Sequence, residues 1–160
     1  TGGGILNEIN AFLKISNCTF ANNFASGSGG GVNSDSTLMQ NCIVFGNSDA
    51  PALNHVSHSI IEGATIVAGV GNTNTNPCFA DSTDADGADN IWRTADDGLR
   101  VLPCSPAVDM GMDIGAPQFD VLGNTRVDVN VPGISIFDIG AYENIEMIQA
   151  WEKYRAEVTK

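Results

Sequence analysis

Apolar residues in the first half of the chain come in short alternating runs and not at helical spacing. Leu13 and Ile15 flank Lys14, Leu38 and Met39 lead through Gln40 to Cys42, and Gly or Asn cuts each run off after a few residues. Runs of that length and period are strand signals. They also recur. Asn17-Cys18-Thr19-Phe20-Ala21-Asn22-Asn23 returns twenty-four positions later as Asn41-Cys42-Ile43-Val44-Phe45-Gly46-Asn47. Gly2-Gly3-Gly4-Ile5 returns as Gly29-Gly30-Gly31-Val32, and Ser59-Ile60-Ile61-Glu62-Gly63 is a third, degenerate copy. A unit of this size cannot bury its own apolar face and must stack on the next, which is the signature of a solenoid. With strands as the repeated element, the pattern predicts an all-β fold, a right-handed parallel β-helix over residues 1–76.

Stacking gives the polar residues of the repeat structural roles. Asn17 with Asn41, and Asn23 with Asn47, are expected to form side-chain amide ladders at successive corners, where Asn tolerates left-handed backbone. Cys18 and Cys42 fall at equivalent places on neighbouring rungs, either as stacked buried thiols or as a disulfide. Gly29-Gly30-Gly31 permits close turns, and no Lys or helix follows it to make a phosphate loop. His55 and His58 would point to opposite faces of a strand, which does not suit a metal or catalytic pair.

Residues 81–97 break the pattern. Asp81, Asp84, Asp86, Asp89, Asp96 and Asp97 place six carboxylates in this stretch against one cation, Arg93, and such a density repels itself unless something positive neutralises it. Carboxylates, Asn amides and carbonyls are hard oxygen donors, which points to calcium. Ser82, Asp84, Asp86 and Gly87 match loop positions 1, 3, 5 and 6 of an EF-hand, but Arg93 stands where its bidentate Glu is required. The loop is therefore expected to bind calcium in another way, through Asp84, Asp86 and Asp89, with Asp96 or Asp97 completing the shell. Cys78 and Cys104 bracket the loop, and a disulfide between them would close its base. Trp92 is read as a plug for the loop rather than a sugar platform.

Composition narrows the function. Nineteen acidic against seven basic residues give a net charge of −12, which disfavours nucleic acid as a partner. No stretch approaches the apolar length of a membrane span. Residues 1–76 carry one cation, Lys14, where an enzyme acting on acidic polysaccharide needs several. Four Cys in an Asn-rich chain suggest an oxidising compartment. The chain opens on Thr1 without a Met or signal peptide, so a mature fragment or a piece of a longer chain is expected.

Three further segments follow: Leu99 to Gly111 with Ser105-Pro106-Ala107-Val108-Asp109, then Asp120-Val121-Leu122-Gly123-Asn124-Thr125-Arg126, then Asp138-Ile139-Gly140-Ala141-Tyr142-Glu143. Together with the acidic loop, this ordered series resembles the C-terminal region of secreted bacterial β-helix proteins of the choice-of-anchor Q type, over roughly residues 12–143. The resemblance implies a pectate-lyase-like β-helix end with a cap, exported to or beyond the cell surface, and attaches no catalytic set to these motifs. Cys78 and Cys104 depart from the pattern, as does the extension 144–160. In that extension Ile145, Ile148, Trp151, Tyr154 and Val158 recur every three or four residues, which predicts a short helix, packed over the solenoid or docking a partner.

The expected organisation is β-helix rungs over 1–76, a calcium-loop cap over 77–143 and a helix over 144–160. The expected function is a non-catalytic extracellular or cell-surface structural or adhesive module. The alternative is the C-terminal part of a polysaccharide lyase or glycoside hydrolase whose catalytic rungs lie upstream. An open first rung needs a cover, either the upstream part of a longer chain or another copy stacking into a filament.

Overall fold

A computed structural model describes residues 3–7, 11–27, 29–34, 36–48, 53–63, 66–126 and 137–145. The helix expected over 144–160 lies outside the described residues, apart from its first two positions. The described residues form an all-β structure without a helix, built from short parallel strands: β1 (Ile5–Asn7), β2 (Leu13–Ser16), β3 (Thr19–Ala21), β4 (Val32–Ser34), β5 (Thr37–Gln40), β6 (Ile43–Phe45), β7 (His55–Ser57) and β8 (Ile60–Ile61). No helix among them is long and apolar enough to cross a membrane.

The strands assemble into three sheets, β1-β4, β2-β5-β7 and β3-β6-β8, and every pairing is parallel. Among the described residues, the first two passes of the chain each add one strand to all three sheets, and the third adds β7 and β8 to two of them. Ile15 pairs with Met39 and Met39 with Val56, while Thr19 pairs with Ile43 and Ile43 with Ile60. The first two passes are in register with the sequence repeat. The third has a shorter excursion, and Cys42 N–H reaches the Ser59 hydroxyl only 17 residues on, at 3.0 Å.

Polar side chains complete the corners between sheets. Asn17 and Asn41 both adopt left-handed backbone, at φ 50° and 53°, and Asn41 Nδ2 donates to Asn17 Oδ1 at 3.3 Å. Asn23 Nδ2 donates to Asn47 Oδ1 at 3.0 Å, and Asn47 Nδ2 to the Phe20 carbonyl at 2.9 Å. These are the ladders that the repeat predicts. They satisfy turn carbonyls that would otherwise be buried unpaired.

Alternation along β6 and β8 divides the core in two. Val44 and Ile61 point into the space between the sheets with Ile15, Val32, Met39, Cys42 and Val56. Ile43 and Ile60 point the other way and pack against Val101, Ala107 and Ile139. Both faces of this sheet are thus buried, which is why its strands read as unbroken apolar runs. The second layer is the irregular segment from Phe79 onward, laid over the β3-β6-β8 sheet. Gly140 marks the tightest point of that contact. It has φ +106°, and a Cβ there would lie 2.8 Å from Ile43 Cδ1 and 3.0 Å from Thr19 Oγ1.

Because the irregular layer seals Ile43, the Ile43→Ala variant should lose about 2 to 5 kcal/mol, the cost of a core truncation. Urea unfolding measures it. A loss under about 0.5 kcal/mol, as at an exposed strand position, would show that this layer does not cover the face.

Candidate functional site

The acidic loop is ordered by its own hydrogen bonds. Asp81 caps its turn through Oδ1, which accepts from Thr83 N at 2.9 Å and Thr83 Oγ1 at 2.7 Å. Asp89 Oδ1 accepts from Ile91 N at 2.8 Å. The Asp96 carboxylate takes the Thr94 hydroxyl at 2.6 Å and the Asp89 amide at 3.2 Å. The Thr83 and Thr94 hydroxyls hold Asp81 and Asp96, respectively, below the usual carboxylate range. Gly98 allows the loop to close, since a Cβ there would sit 2.0 Å from the Asp81 carbonyl and 2.1 Å from that of Asp84.

Asp97 is different, because it is fully buried. Its oxygens accept from Arg93 N at 2.9 Å, Thr94 N at 3.3 Å and the Tyr142 hydroxyl at 2.7 Å. Burial, and then this bond to a carboxylate, push the Tyr142 phenol well above its ordinary value, so it stays a donor. Asp97 thus ties the loop to the far end of the cap, and its lone pairs are committed to these donors. Asp81, Asp84, Asp86, Asp89 and Asp96 keep oxygens toward a hard cation, Asp81 through the Oδ2 that its turn does not use. Asp89 and Asp96 meet at the Thr94 hydroxyl. Among the described residues, no three His, Cys, Asp or Glu side chains converge into a group that could hold a metal ion.

The disulfide expected at the loop base is not formed in this structure, where Cys18, Cys42, Cys78 and Cys104 are all free thiols. Cys78 sits at φ +53° with its Sγ turned back 3.6 Å from the Asn76 carbonyl, and Cys104 is exposed in a separate turn. Backbone pairing closes the base instead, through a Phe79 to Val101 bridge and Leu102 N donating to the Cys78 carbonyl at 2.9 Å. Cys18 and Cys42 do stack. The Cys42 thiol lowers Cys18 to about 7, helped by Arg126, while burial raises Cys42. Of the two His, His55 is exposed, and the His58 ring packs on Gly71. Trp92 is exposed as well and does not plug the loop.

Sequence reasoning missed the buried cluster at the junction. Arg126 Nη1 donates to Glu143 Oε2 at 3.0 Å, and Nη2 donates to the Gly140 and Ala141 carbonyls at 3.0 and 3.1 Å. Asp138 accepts from Asp109 N at 2.8 Å and Asn144 N at 2.5 Å. Asp120 caps its turn and takes the Glu143 amide at 3.1 Å. One guanidinium serves two buried carboxyls and cannot offset the desolvation of both. Burial raises Asp138 to about 6, and burial with the nearby Asp138 charge raises Glu143 to about 7, despite the ion pair that favours the charged form. The signal available in the sequence was the concentration of acids beside Arg126, which gives no pairing.

Behind the loop lies a cleft of about 410 Å³, lined by Arg93, Ala95, Arg100, Val101, Leu122, Asn124, Tyr142, Glu143, Asn144 and Ile145. Arg93 Nε donates to the Val121 carbonyl and Arg100 Nε to the Asp97 carbonyl, each at 3.1 Å. The cleft joins all three segments that follow the loop.

Since Asp138 and Glu143 are raised, the folded state keeps protons that the unfolded chain releases, and stability should fall as pH rises from about 4 through 7. Glu143→Gln, which copies the neutral form, should flatten that slope. Thermal melts at pH 5 and pH 8 check this: a melting temperature that rises over the interval, or a slope the substitution leaves intact, would contradict it. Comparison of the chain with protein-family models, with curated proteins and with solved structures finds no significant match.

Proposed function

We propose that this protein is a capped right-handed parallel β-helix, with rungs over 1–76 and a cap over 77–143, serving as a non-catalytic structural or adhesive module at or beyond the cell surface. The observation that carries the reading is the use to which the repeat puts its polar residues. Asn17, Asn41, Asn23 and Asn47 spend their side chains on one another and on turn carbonyls, and Thr19 and Asn41 hold the cap. Such a surface is built for stacking. Copies of the same chain, or further rungs of it, are the partners this favours.

Calcium belongs to this proposal. Asp84, Asp86, Asp89 and Asp96 would hold it, and the ion would supply the positive charge that this stretch lacks. The loop's exposed carboxylates support the reading, as does the meeting of Asp89 with Asp96 at Thr94. Calcium at a hundredfold over its dissociation constant should add about 2.7 kcal/mol of stability, lost on chelation and in Asp96→Asn. Identical melts with calcium and with chelator would remove the ion from the account.

The alternative is the C-terminal part of a polysaccharide lyase or glycoside hydrolase whose catalytic rungs lie upstream. The two readings differ in turnover. Incubated with acidic and neutral polysaccharides, the full chain should release no unsaturated product and no new reducing ends. Turnover by this chain, or by a longer chain that carries it, would establish the enzyme instead.

A further inference from the structure

The geometry points to a binding site for a small organic carboxylate in the cleft of Arg93 and Arg100. The chain is acidic overall, and its described residues hold four basic side chains, Lys14, Arg93, Arg100 and Arg126. Two of the four line this one cleft, and Arg126 stands behind it, paired with Glu143 in its wall. Gathering scarce cations in one place repels them from one another unless an anion or the surrounding carboxylates compensate. Of the carboxylates bonded to the cleft's residues, Asp97 is engaged by three residues and Glu143 by Arg126.

The two guanidinium groups are also anchored. Each is fixed through Nε on a backbone carbonyl, Val121 for Arg93 and Asp97 for Arg100. Their terminal nitrogens make no hydrogen bond among the described residues, which leaves an Nη pair on each side chain for an incoming ligand. A planar fork of that kind matches a carboxylate in bidentate fashion, and anchoring it beforehand lowers the ordering cost of binding. The Arg93 backbone is itself held in the left-handed region, at φ +71°, by the bond from its amide to Asp97. A non-glycine residue kept there by a buried partner is placed at some cost, as at many ligand sites.

The remaining walls describe the body of the ligand. Val101, Leu122, Ala95 and Ile145 give apolar contact, and Asn124, whose Nδ2 donates to Asp120 at 3.1 Å, completes the lining. A volume of about 410 Å³ lies in the range of small-molecule sites. Apolar walls around two guanidinium forks suit a carboxylate on a short carbon skeleton better than a fully hydrated inorganic anion. The site is distinct from the acidic face of the loop, where a cation would go.

Titration of the full chain with succinate, its neutral isostere succinamide and inorganic phosphate, followed by amide NMR shifts, tests the assignment. Succinate should shift the amides of Arg93, Arg100 and Leu122 at millimolar or lower concentration, with an affinity that falls as salt rises, and succinamide should not. Arg93→Gln and Arg100→Gln should each weaken succinate by about tenfold or more, the loss expected for one charge-assisted contact. Arg93→Lys should fall between, keeping the charge without the fork. These variants should fold, because the contact of residue 93 with Asp97 runs through the backbone amide, and the dispersion of the amide spectrum verifies it. The assignment fails if succinate leaves the amides unmoved, if succinamide moves them equally, if phosphate binds as tightly as succinate, or if the glutamine variants bind like the parent.

Discussion

The desolvated strip from Asp138 to Asn144 holds the rest of the structure in place. Its backbone runs between the β3-β6-β8 sheet and the irregular layer and is largely buried, so its polar groups need partners in the protein. The repeat supplies some of them: Gly140 N donates to the Asn41 carbonyl at 2.9 Å, Ala141 N to Thr19 Oγ1 at 3.1 Å, and Asn17 Nδ2 to the Asp138 carbonyl at 3.3 Å. Others come from the far side, where Arg126 donates to the Gly140 and Ala141 carbonyls, the Ala107 carbonyl accepts from Ile139 N and Asp120 accepts from Glu143 N. A buried network of this sort specifies its geometry strongly, since breaking one member strands several polar groups. It also explains how a cap without regular secondary structure can be held in one place.

Charge density in the loop is handled by the same means. Backbone amides and threonine hydroxyls face Asp81, Asp89 and Asp96, and donors from Arg93, Thr94 and Tyr142 surround Asp97. Because Tyr142 is both the donor to Asp97 and part of the buried strip, loop and junction form one connected body. The cleft takes its shape from that connection. Arg93 and Arg100 come from the loop side, while Asn124, Tyr142 and Glu143 come from the turn and strip behind it.

Much of the strand half could be read from the residues. Alternation around Lys14 and Gln40 gave strands of the right length, and the repeat gave their partners, so that Ile15 does meet Met39 and Asn17 does meet Asn41. These are short-range signals: period two, a turn residue that accepts left-handed backbone, and a unit that cannot bury its face alone. The acidic loop was equally visible as a break in that pattern, because its composition is not that of a strand or a helix.

What tertiary structure decided lies wherever a residue's role depends on a partner far along the chain. Ile43 and Ile60 stand in apolar runs beside Val44 and Ile61, yet they face away from the space between the sheets and become core only because Val101, Ala107 and Ile139 arrive over them. Asp97 reads as one more loop carboxylate beside Asp96, yet burial against Tyr142 makes one a structural acceptor and leaves the other at the surface. Cys78 and Cys104 bracket the loop in sequence, but backbone at φ +53° turns the first thiol back toward its own turn. Arg126 finds Glu143 and the strip carbonyls only when two irregular segments dock. Sequence carries local preference and period, and these fixed the strands and corners; desolvation and pairing act between segments that sequence order does not bring together, and only the folded chain settles them.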